Sequence, residues 1–129
     1  MSQSKTKDRL KQMFLLRRSF MLLLEEKKPG SYPEWPLDLS KKESQQILRD
    51  TALKGIEEMF EALQHLKNWK PHRDTDIPEF DRSEFLEEVV DAFNYFLSVM
   101  ELVGISEDEL FDAYQKKDEI IRNRILSGY

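Results

Sequence analysis

Apolar side chains recur along this chain at every third or fourth position, which is the spacing of amphipathic α-helices. The pattern predicts helices over about 7–26, 41–68, 82–103 and 107–126. Long alternating stretches of apolar and polar residues do not occur, and neither do the Asn-Gly or Asp-Gly turns of β-hairpins. We therefore predict an all-α fold, a four-helix bundle-like single domain that spans 1–129.

The apolar stripe of each predicted helix is expected to face the core. It contains Leu10, Met13, Phe14, Phe20, Met21 and Leu24 in the first helix, and Leu48, Ala52, Ile56, Met59, Phe60, Leu63 and Leu66 in the second. It contains Phe85, Leu86, Val89, Val90, Phe93, Phe96, Leu97 and Met100 in the third helix, and Leu110, Tyr114, Ile120, Ile121 and Ile125 in the fourth. One thin bundle cannot cover so much apolar surface, which predicts a homodimer or a dimer of dimers.

Turn and capping residues support the predicted helix ends. Pro29-Gly30 ends the first helix and Gly104 the third, and the loop 29–39 is expected to be packed by Tyr32 and Trp35. A Ser or Asp followed three residues later by Glu satisfies free N–H groups at the start of a helix. This pattern occurs at Ser40…Glu43, Asp81…Glu84 and Ser106…Glu109.

The composition excludes several classes of protein. With 20 Lys and Arg against 25 Asp and Glu, the net charge of −5 argues against nucleic acid as a partner, since phosphate binding needs clustered cations. The absence of cysteine excludes disulfides and thiolate chemistry, and the four scattered glycines exclude a phosphate-binding glycine loop. The longest apolar run, 20–24, is far too short to span a membrane, and no secretory signal is visible. We expect a cytoplasmic protein with no membrane partner.

Two pairs of acidic residues are the main chemical signal. Glu58 and Glu61 lie on the second predicted helix and Glu88 and Asp91 on the third, each pair on one helix face. Oxygen ligands of this kind suit Mg²⁺, and also Mn²⁺. The alternative is that both pairs are ordinary solvated surface, because charged side chains are mostly exposed.

The helical positions of the two pairs bear on that choice. At 100° per residue, the first pair shares a line with Ile47, Thr51, Lys54 and His65, and the second with Tyr95, Ser98 and Leu102. Both lines run into uncharged side chains, so we expect each to be partly covered by another element. A covered carboxylate cluster needs a cation.

The surroundings of the two pairs carry a family resemblance. The motifs are Glu58-x-x-Glu61, 26 intervening residues, then Glu88-x-x-Asp91, with Trp69-Lys70 between them and Lys117, Arg124 and Gly128-Tyr129 in the tail. Over about 53–129 the chain resembles the all-α nucleoside triphosphate pyrophosphatases, which include the dimeric dUTPases and the MazG-like proteins. The loop and the tail are most similar to the dimeric dUTPase branch.

The resemblance implies an enzyme that hydrolyses a deoxynucleoside triphosphate to the monophosphate and pyrophosphate with Mg²⁺. It implies that Glu58, Glu61, Glu88 and Asp91 hold the metal, and that Glu58 or Glu61 accepts the proton of the attacking water. The implied substrate-binding residues are Trp69, Lys70, Asn94, Lys117, Arg124 and Tyr129. Packing or solubility remains an alternative role for Trp69 and Lys70, and hydrogen bonding at a surface or helix interface remains one for Asn94.

Two departures from the family pattern leave the preferred base open. Arg17 stands where the dimeric dUTPases typically have Gln, and Asp118 where their tail has Asn. The leading substrate is dUTP, and the alternative is another nucleotide such as dCTP or dGTP. A further alternative, of another class, is a non-enzymatic helical module for dimerisation or partner binding.

The only two histidines offer weaker signals. Glu61-x-x-x-His65 has a spacing that could hold zinc, but it lacks the second histidine of the usual zinc-binding helix motif. His72 is expected to be a loop residue.

Overall fold

The computed structural model of the chain describes residues 8–74, 76 and 79–128. These residues form four α-helices and no β-strand, which confirms the all-α prediction. The helices are α1 (Arg9–Lys27), α2 (Lys42–Leu63), α3 (Arg82–Val103) and α4 (Glu107–Leu126). None of them is by itself long and apolar enough to cross a membrane; only α3 and α4 taken together reach that length and composition.

The chain divides into two compact units, and α3 contributes to both. The described residues of Leu37–Val99 form the central unit, which holds α2 and most of α3. Those of Met1–Pro36 and Met100–Tyr129 form the terminal unit, which holds α1, the end of α3 and α4. Both acidic pairs lie in the central unit. That the chain is one domain stays a prediction.

The predicted bounds of α3 and α4 are confirmed, and those of α1 differ by one or two residues. The predicted end of α2 at Asn68 is wrong, because the helix ends at Leu63. Beyond it, the N–H groups of Gln64, His65 and Leu66 donate to carbonyl oxygens three residues earlier, at 3.0–3.2 Å. The apolar spacing continues through these tighter turns, so it does not reveal the change.

Two of the three predicted capping residues act as expected. Asp81 accepts a hydrogen bond from the N–H of Glu84 at 3.0 Å, and Ser106 accepts one from the N–H of Glu109 at 3.1 Å. The expected cap at Ser40 is wrong, since α2 begins one residue later, after Lys41, without a side-chain cap. The hydroxyl and N–H groups of Ser40 donate to Asp38 instead.

Small side chains form the buried faces of α2 and α3. Thr51, Gly55 and Ala62 are buried on α2, and Ala92 and Ser98 on α3. Several large residues predicted for the core are exposed instead, namely Ile56, Phe60 and Leu63 on α2, Leu66 just after it, and Leu86, Val90, Phe93 and Phe96 on α3. These predictions are wrong for the single chain, because α2 packs against α3 through the face that carries Gly55 and not through its large apolar residues. An apolar stripe does not show which side of it a neighbouring helix covers.

The terminal unit buries Phe14 and Met21 of α1, as predicted, while Met13 and Phe20 are exposed. No residue of α4 is buried, so the predicted core positions Tyr114, Ile120, Ile121 and Ile125 are also wrong for the single chain. The loop after α1 is packed by its aromatic residues as expected, with the rings of Tyr32 and Trp35 edge to face at 6.1 Å.

A carboxylate of α1 also shapes this loop. Glu25 accepts hydrogen bonds from the N–H groups of Gly30 and Tyr32, both at 2.9 Å. These bonds, that of Gly30 first, lower the pKa of the Glu25 carboxyl, because they favour its ionised form.

Replacing Gly55 by Ala tests the close approach of α2 and α3. A Cβ atom at this position would lie 3.0 Å from Cε1 of Phe96 and 3.2 Å from Cβ of Tyr95. The gain in helix propensity is about 1 kcal/mol, whereas overpacking costs about 1–3 kcal/mol. We predict a net loss of about 1 kcal/mol, measured by circular dichroism as a melting temperature lower by roughly 3–5 °C.

A Phe96→Ala background supplies the control for this prediction. It removes the ring that the new methyl group would meet first, so Gly55→Ala should there be neutral or stabilising. An equal loss in both backgrounds would show that the Phe96 ring does not limit the helix approach.

Candidate functional site

Two contacts define how α2 and α3 pair in the central unit. Nε2 of His65 lies 2.6 Å from Oε2 of Glu88, just beyond the end of α2. Ten residues earlier on α2, Gly55 lies against Tyr95 and Phe96, which follow Glu88 on α3. In these contacts a lower residue number on α2 is matched by a higher residue number on α3, so the two helices are antiparallel. This alignment brings the last turns of α2, which carry its acidic pair, beside the acidic pair of α3.

One member of each acidic pair lies on the small-residue face of its helix. Glu58 falls between Gly55 and Ala62, which are buried, and is itself only partly exposed. Glu88 is also partly exposed, with 27% of its side chain accessible. The expectation that other elements partly cover the two acidic lines is confirmed: Thr51 on the first line and Ser98 on the second are buried.

The acidic side chains are close enough to repel one another. Partial burial raises the pKa of the Glu58 carboxyl, and the negative charges of Glu61, Asp91 and Glu88 raise it further. This electrostatic coupling joins residues of both helices. Lys54, one turn before Glu58, does not relieve it, because its ammonium group pairs with Asp50 at 3.3 Å.

Glu88 has an unusual environment within this group. Its Oε2 atom is buried and has no hydrogen-bond donor, although Nε2 of His65 lies at ion-pair distance. The two observations agree if the ring N–H group points away from the line that joins the two atoms. A buried carboxylate oxygen without a donor costs free energy, so this atom is a place where a donor or a cation would stabilise the structure.

The four carboxylates fit a divalent cation in their chemistry. They offer only oxygen atoms, which Mg²⁺ and Mn²⁺ prefer, and their repulsion would be relieved by positive charge. Within the described part of the chain, no three acidic or histidine side chains are gathered closely enough to hold one ion. Glu61 and Asp91 are exposed, whereas Glu58 and Glu88 are partly exposed. Asp91 also lines an open groove on α3 with Ser83, Leu86, Glu87 and Val90.

Trp69 and Lys70 lie in the central unit, in the segment that follows α2. Trp69 is 66% exposed, so it does not anchor the packing of the single chain. Nζ of Lys70 lies 5.7 Å from the centre of the Trp69 ring, within the range of a cation–π contact. An exposed aromatic face beside an ammonium group has the chemistry to stack on a base near a phosphate.

The remaining predicted substrate-binding residues are divided between the units. Asn94 lies on α3 in the central unit, partly exposed, one turn beyond Asp91. Lys117 and Arg124 are exposed on α4 in the terminal unit. Tyr129 lies outside the described residues.

Arg17 and Asp118, the two residues that depart from the family pattern, interact with nearby side chains. The guanidinium group of Arg17 donates to the hydroxyl of Tyr32 at 3.2 Å and lies 4.8 Å from the centre of the Phe20 ring. Asp118 accepts a hydrogen bond from Nε of Arg122, one turn later on α4, at 2.7 Å. Both side chains therefore have structural partners within the terminal unit.

Among the polar contacts that were not predicted from the sequence, two join segments that are far apart in the chain. One is the contact between His65 and Glu88, and the other is a partly buried ion pair in the terminal unit. Arg18 donates to both carboxylate oxygens of Glu101, at 2.8 and 3.3 Å, and Glu101 is only 5% exposed. Glu101 is the single charge in an otherwise uncharged stretch of α3, and this isolation was a usable signal that it is buried. No feature of the sequence identifies Arg18, 83 positions away, as its partner.

Comparison of the chain with models of known protein families, with curated proteins and with solved structures gives no match. The resemblance to the all-α pyrophosphatases therefore rests on its motifs.

Glu58→Gln tests the repulsion among the carboxylates. Because the pKa of Glu58 is raised in the folded chain, ionisation of Glu58 destabilises the fold above that pKa. The penalty disappears below the unfolded pKa of about 4.3, where both states are protonated. In metal-free buffer at pH 7 we predict a melting temperature about 1–2 °C higher, corresponding to the few tenths of a kcal/mol of a like-charge pair.

The pH dependence of the stability gain separates the loss of charge repulsion from a gain in stability of any other origin. The gain should shrink as the pH falls toward 4, and Glu119→Gln on α4, another exposed carboxylate, should give none. A gain that is equal at pH 4 and pH 7 would contradict the electrostatic origin.

Proposed function

We propose that the protein is a Mg²⁺-dependent nucleoside triphosphate pyrophosphohydrolase, which converts a dNTP and water to a dNMP and pyrophosphate. The observation that carries the proposal is the antiparallel pairing of α2 and α3, which brings the two acidic pairs beside each other. Four carboxylates repel a triphosphate unless cations intervene, so a site of this charge is suited to a metal-bound polyphosphate. The motif resemblance names the same residues.

The residues of the chain have distinct tasks in this reaction. Glu58, Glu61, Glu88 and Asp91 would hold the metal, which when bound lowers the pKa of a coordinated water and stabilises charge on the phosphate oxygens. Either Glu58 or Glu61 would accept the proton of the attacking water, and partial burial raises the pKa of the Glu58 carboxyl in the metal-free chain. Glu61, the other candidate, is more exposed.

Side chains outside the acidic group would bind the nucleotide. Trp69 offers an exposed ring for stacking on the base, and Lys70 beside it offers a charge for a phosphate oxygen. The motif resemblance adds Asn94, Lys117, Arg124 and Tyr129 to the proposed set, and it implies that Lys117 and Arg124 would contact phosphate oxygens. The leading substrate is dUTP, and dCTP or a purine nucleotide such as dGTP is the alternative, since Arg17 departs from the dUTPase pattern.

The test is pyrophosphate release with Mg²⁺ from the four common dNTPs, dUTP and the NTPs, with identification of each product. Glu58→Gln and Asp91→Asn should each lower kcat by about 100-fold or more, because each removes a charge that acts on the reacting groups. The neighbouring carboxylates Glu57 and Glu87 are exposed and offer matched controls. Glu57→Gln and Glu87→Gln should stay within about threefold of the unmodified chain.

Two outcomes would contradict this proposal. Full activity of both Glu58→Gln and Asp91→Asn would show that the reaction takes place elsewhere in the chain. Absence of hydrolysis for every nucleotide, with no thermal stabilisation by Mg²⁺ and a non-hydrolysable triphosphate, would favour the non-enzymatic helical module, since a bound ligand stabilises the folded state. The exposed apolar stripes of α2 and α3 are the observation that supports that second function.

We also propose that the exposed stripes are covered by a second copy of the chain, in a homodimer or a dimer of dimers. On α2, Leu53, Ile56, Phe60 and Leu63 recur at helical spacing and are all exposed. Leu86, Val90 and Phe93 form a similar stripe on α3. Contiguous apolar stripes of this kind mark surfaces that bind protein in water. The motif resemblance to dimeric enzymes favours a second copy as the partner.

Sedimentation analysis tests the assembly. We predict a particle of at least twice the chain mass of 15.4 kDa. Phe60→Gln should raise the dissociation constant about 30-fold or more, because each copy in a symmetric dimer loses the burial of an aromatic side chain. Leu39→Gln, a less exposed apolar residue outside the helices, is the control. A chain that sediments at 15.4 kDa at all concentrations would contradict the proposal.

A further inference from the structure

The contact between His65 and Glu88 joins two segments that are far apart in the chain and close in the site. His65 follows the end of α2, and its N–H group donates to the carbonyl oxygen of Ala62 at 3.2 Å. Its ring reaches across to Glu88 on α3, with Nε2 and Oε2 at 2.6 Å. Both side chains are about a quarter exposed, at 24% and 27%, so the contact lies at the edge of the helix interface.

We propose that His65 is a positioning residue for Glu88, which sets the affinity of the acidic group for a divalent cation. This inference rests on the proposed metal site, but it adds a residue that lies outside the two acidic motifs. His65 is not one of the predicted metal ligands. Its role is to fix the carboxylate of Glu88 so that one oxygen faces the histidine and the other remains for the cation.

The different burial of the two parts of Glu88 supports this role. Oε2 is buried and lies against the imidazole, whereas the side chain as a whole keeps 27% of its surface accessible. The accessible surface therefore belongs to the rest of the side chain. The contact of Oε2 with the imidazole limits the conformations of an otherwise mobile carboxylate, which lowers the conformational freedom that ion binding would have to remove.

Nε2 of His65 lies at ion-pair distance from Oε2 of Glu88, although no hydrogen bond of good geometry joins the two atoms. An imidazole N–H group directed at this carboxylate would form a charge-assisted hydrogen bond. Such outer partners orient metal-binding carboxylates, and their loss commonly weakens metal affinity about 10- to 100-fold.

The experiment measures Mn²⁺ binding to the full chain without nucleotide, by electron paramagnetic resonance of the free ion. His65→Ala should weaken binding about 10- to 100-fold. His65→Gln should recover most of the affinity, since its amide places an N–H group at a similar distance from the backbone. His72→Ala, which removes the other histidine of the chain, should leave the affinity unchanged.

A Glu88→Gln background separates positioning from a general structural effect. If His65 acts through Glu88, His65→Ala should have no further effect on Mn²⁺ affinity in that background. An equal loss in both backgrounds, an unchanged affinity in His65→Ala, or no Mn²⁺ binding by the unmodified chain would each overturn the inference.

The result is independent of the proposed reaction. Weaker Mn²⁺ binding by His65→Ala in a chain that hydrolyses no nucleotide would support the positioning role and contradict the pyrophosphohydrolase. Normal pyrophosphate release with unchanged Mn²⁺ affinity in His65→Ala would support the enzyme and overturn the positioning role.

Discussion

The close approach of α2 and α3 is the constraint on which the central unit depends. Gly55 on α2 lies against Tyr95 and Phe96 on α3. Thr51 and Ala62 on α2 and Ala92 and Ser98 on α3 are buried as well. Glu58 and Glu88 lie on these faces, where partial burial strengthens every electrostatic interaction. The small residues and the acidic residues therefore act together, since a wider helix separation would leave the carboxylates solvated and independent.

The two sides of α2 and α3 have opposite characters. The side of α2 that meets α3 is small and partly charged, and large apolar residues such as Phe60 on α2 and Phe93 on α3 remain exposed. A domain that folds alone normally places its large residues inside and its charges outside. The inverted arrangement is understandable if the inner face is built for chemistry and the outer face for association.

The departures from the family pattern show how local contacts absorb a changed residue. Arg17 interacts with Tyr32 and Phe20, and Asp118 with Arg122. Neither residue belongs to the central unit, where the acidic pairs lie. The acidic pairs and the two residues that depart from the family pattern therefore lie in different units of the chain.

Helix number, the bounds of α3 and α4, the caps at Asp81 and Ser106, and the shared face of each acidic pair followed from the sequence alone. These features depend on interactions within a few residues of chain, namely 3.6-residue periodicity and side-chain bonds to nearby N–H groups. The early end of α2, the burial of Gly55 and Ala62 in place of larger neighbours, and the contacts of His65 with Glu88 and of Arg18 with Glu101 needed the tertiary structure. Each of these depends on which helix faces are brought together, and periodicity ranks faces by hydrophobicity without specifying how closely two helices pack.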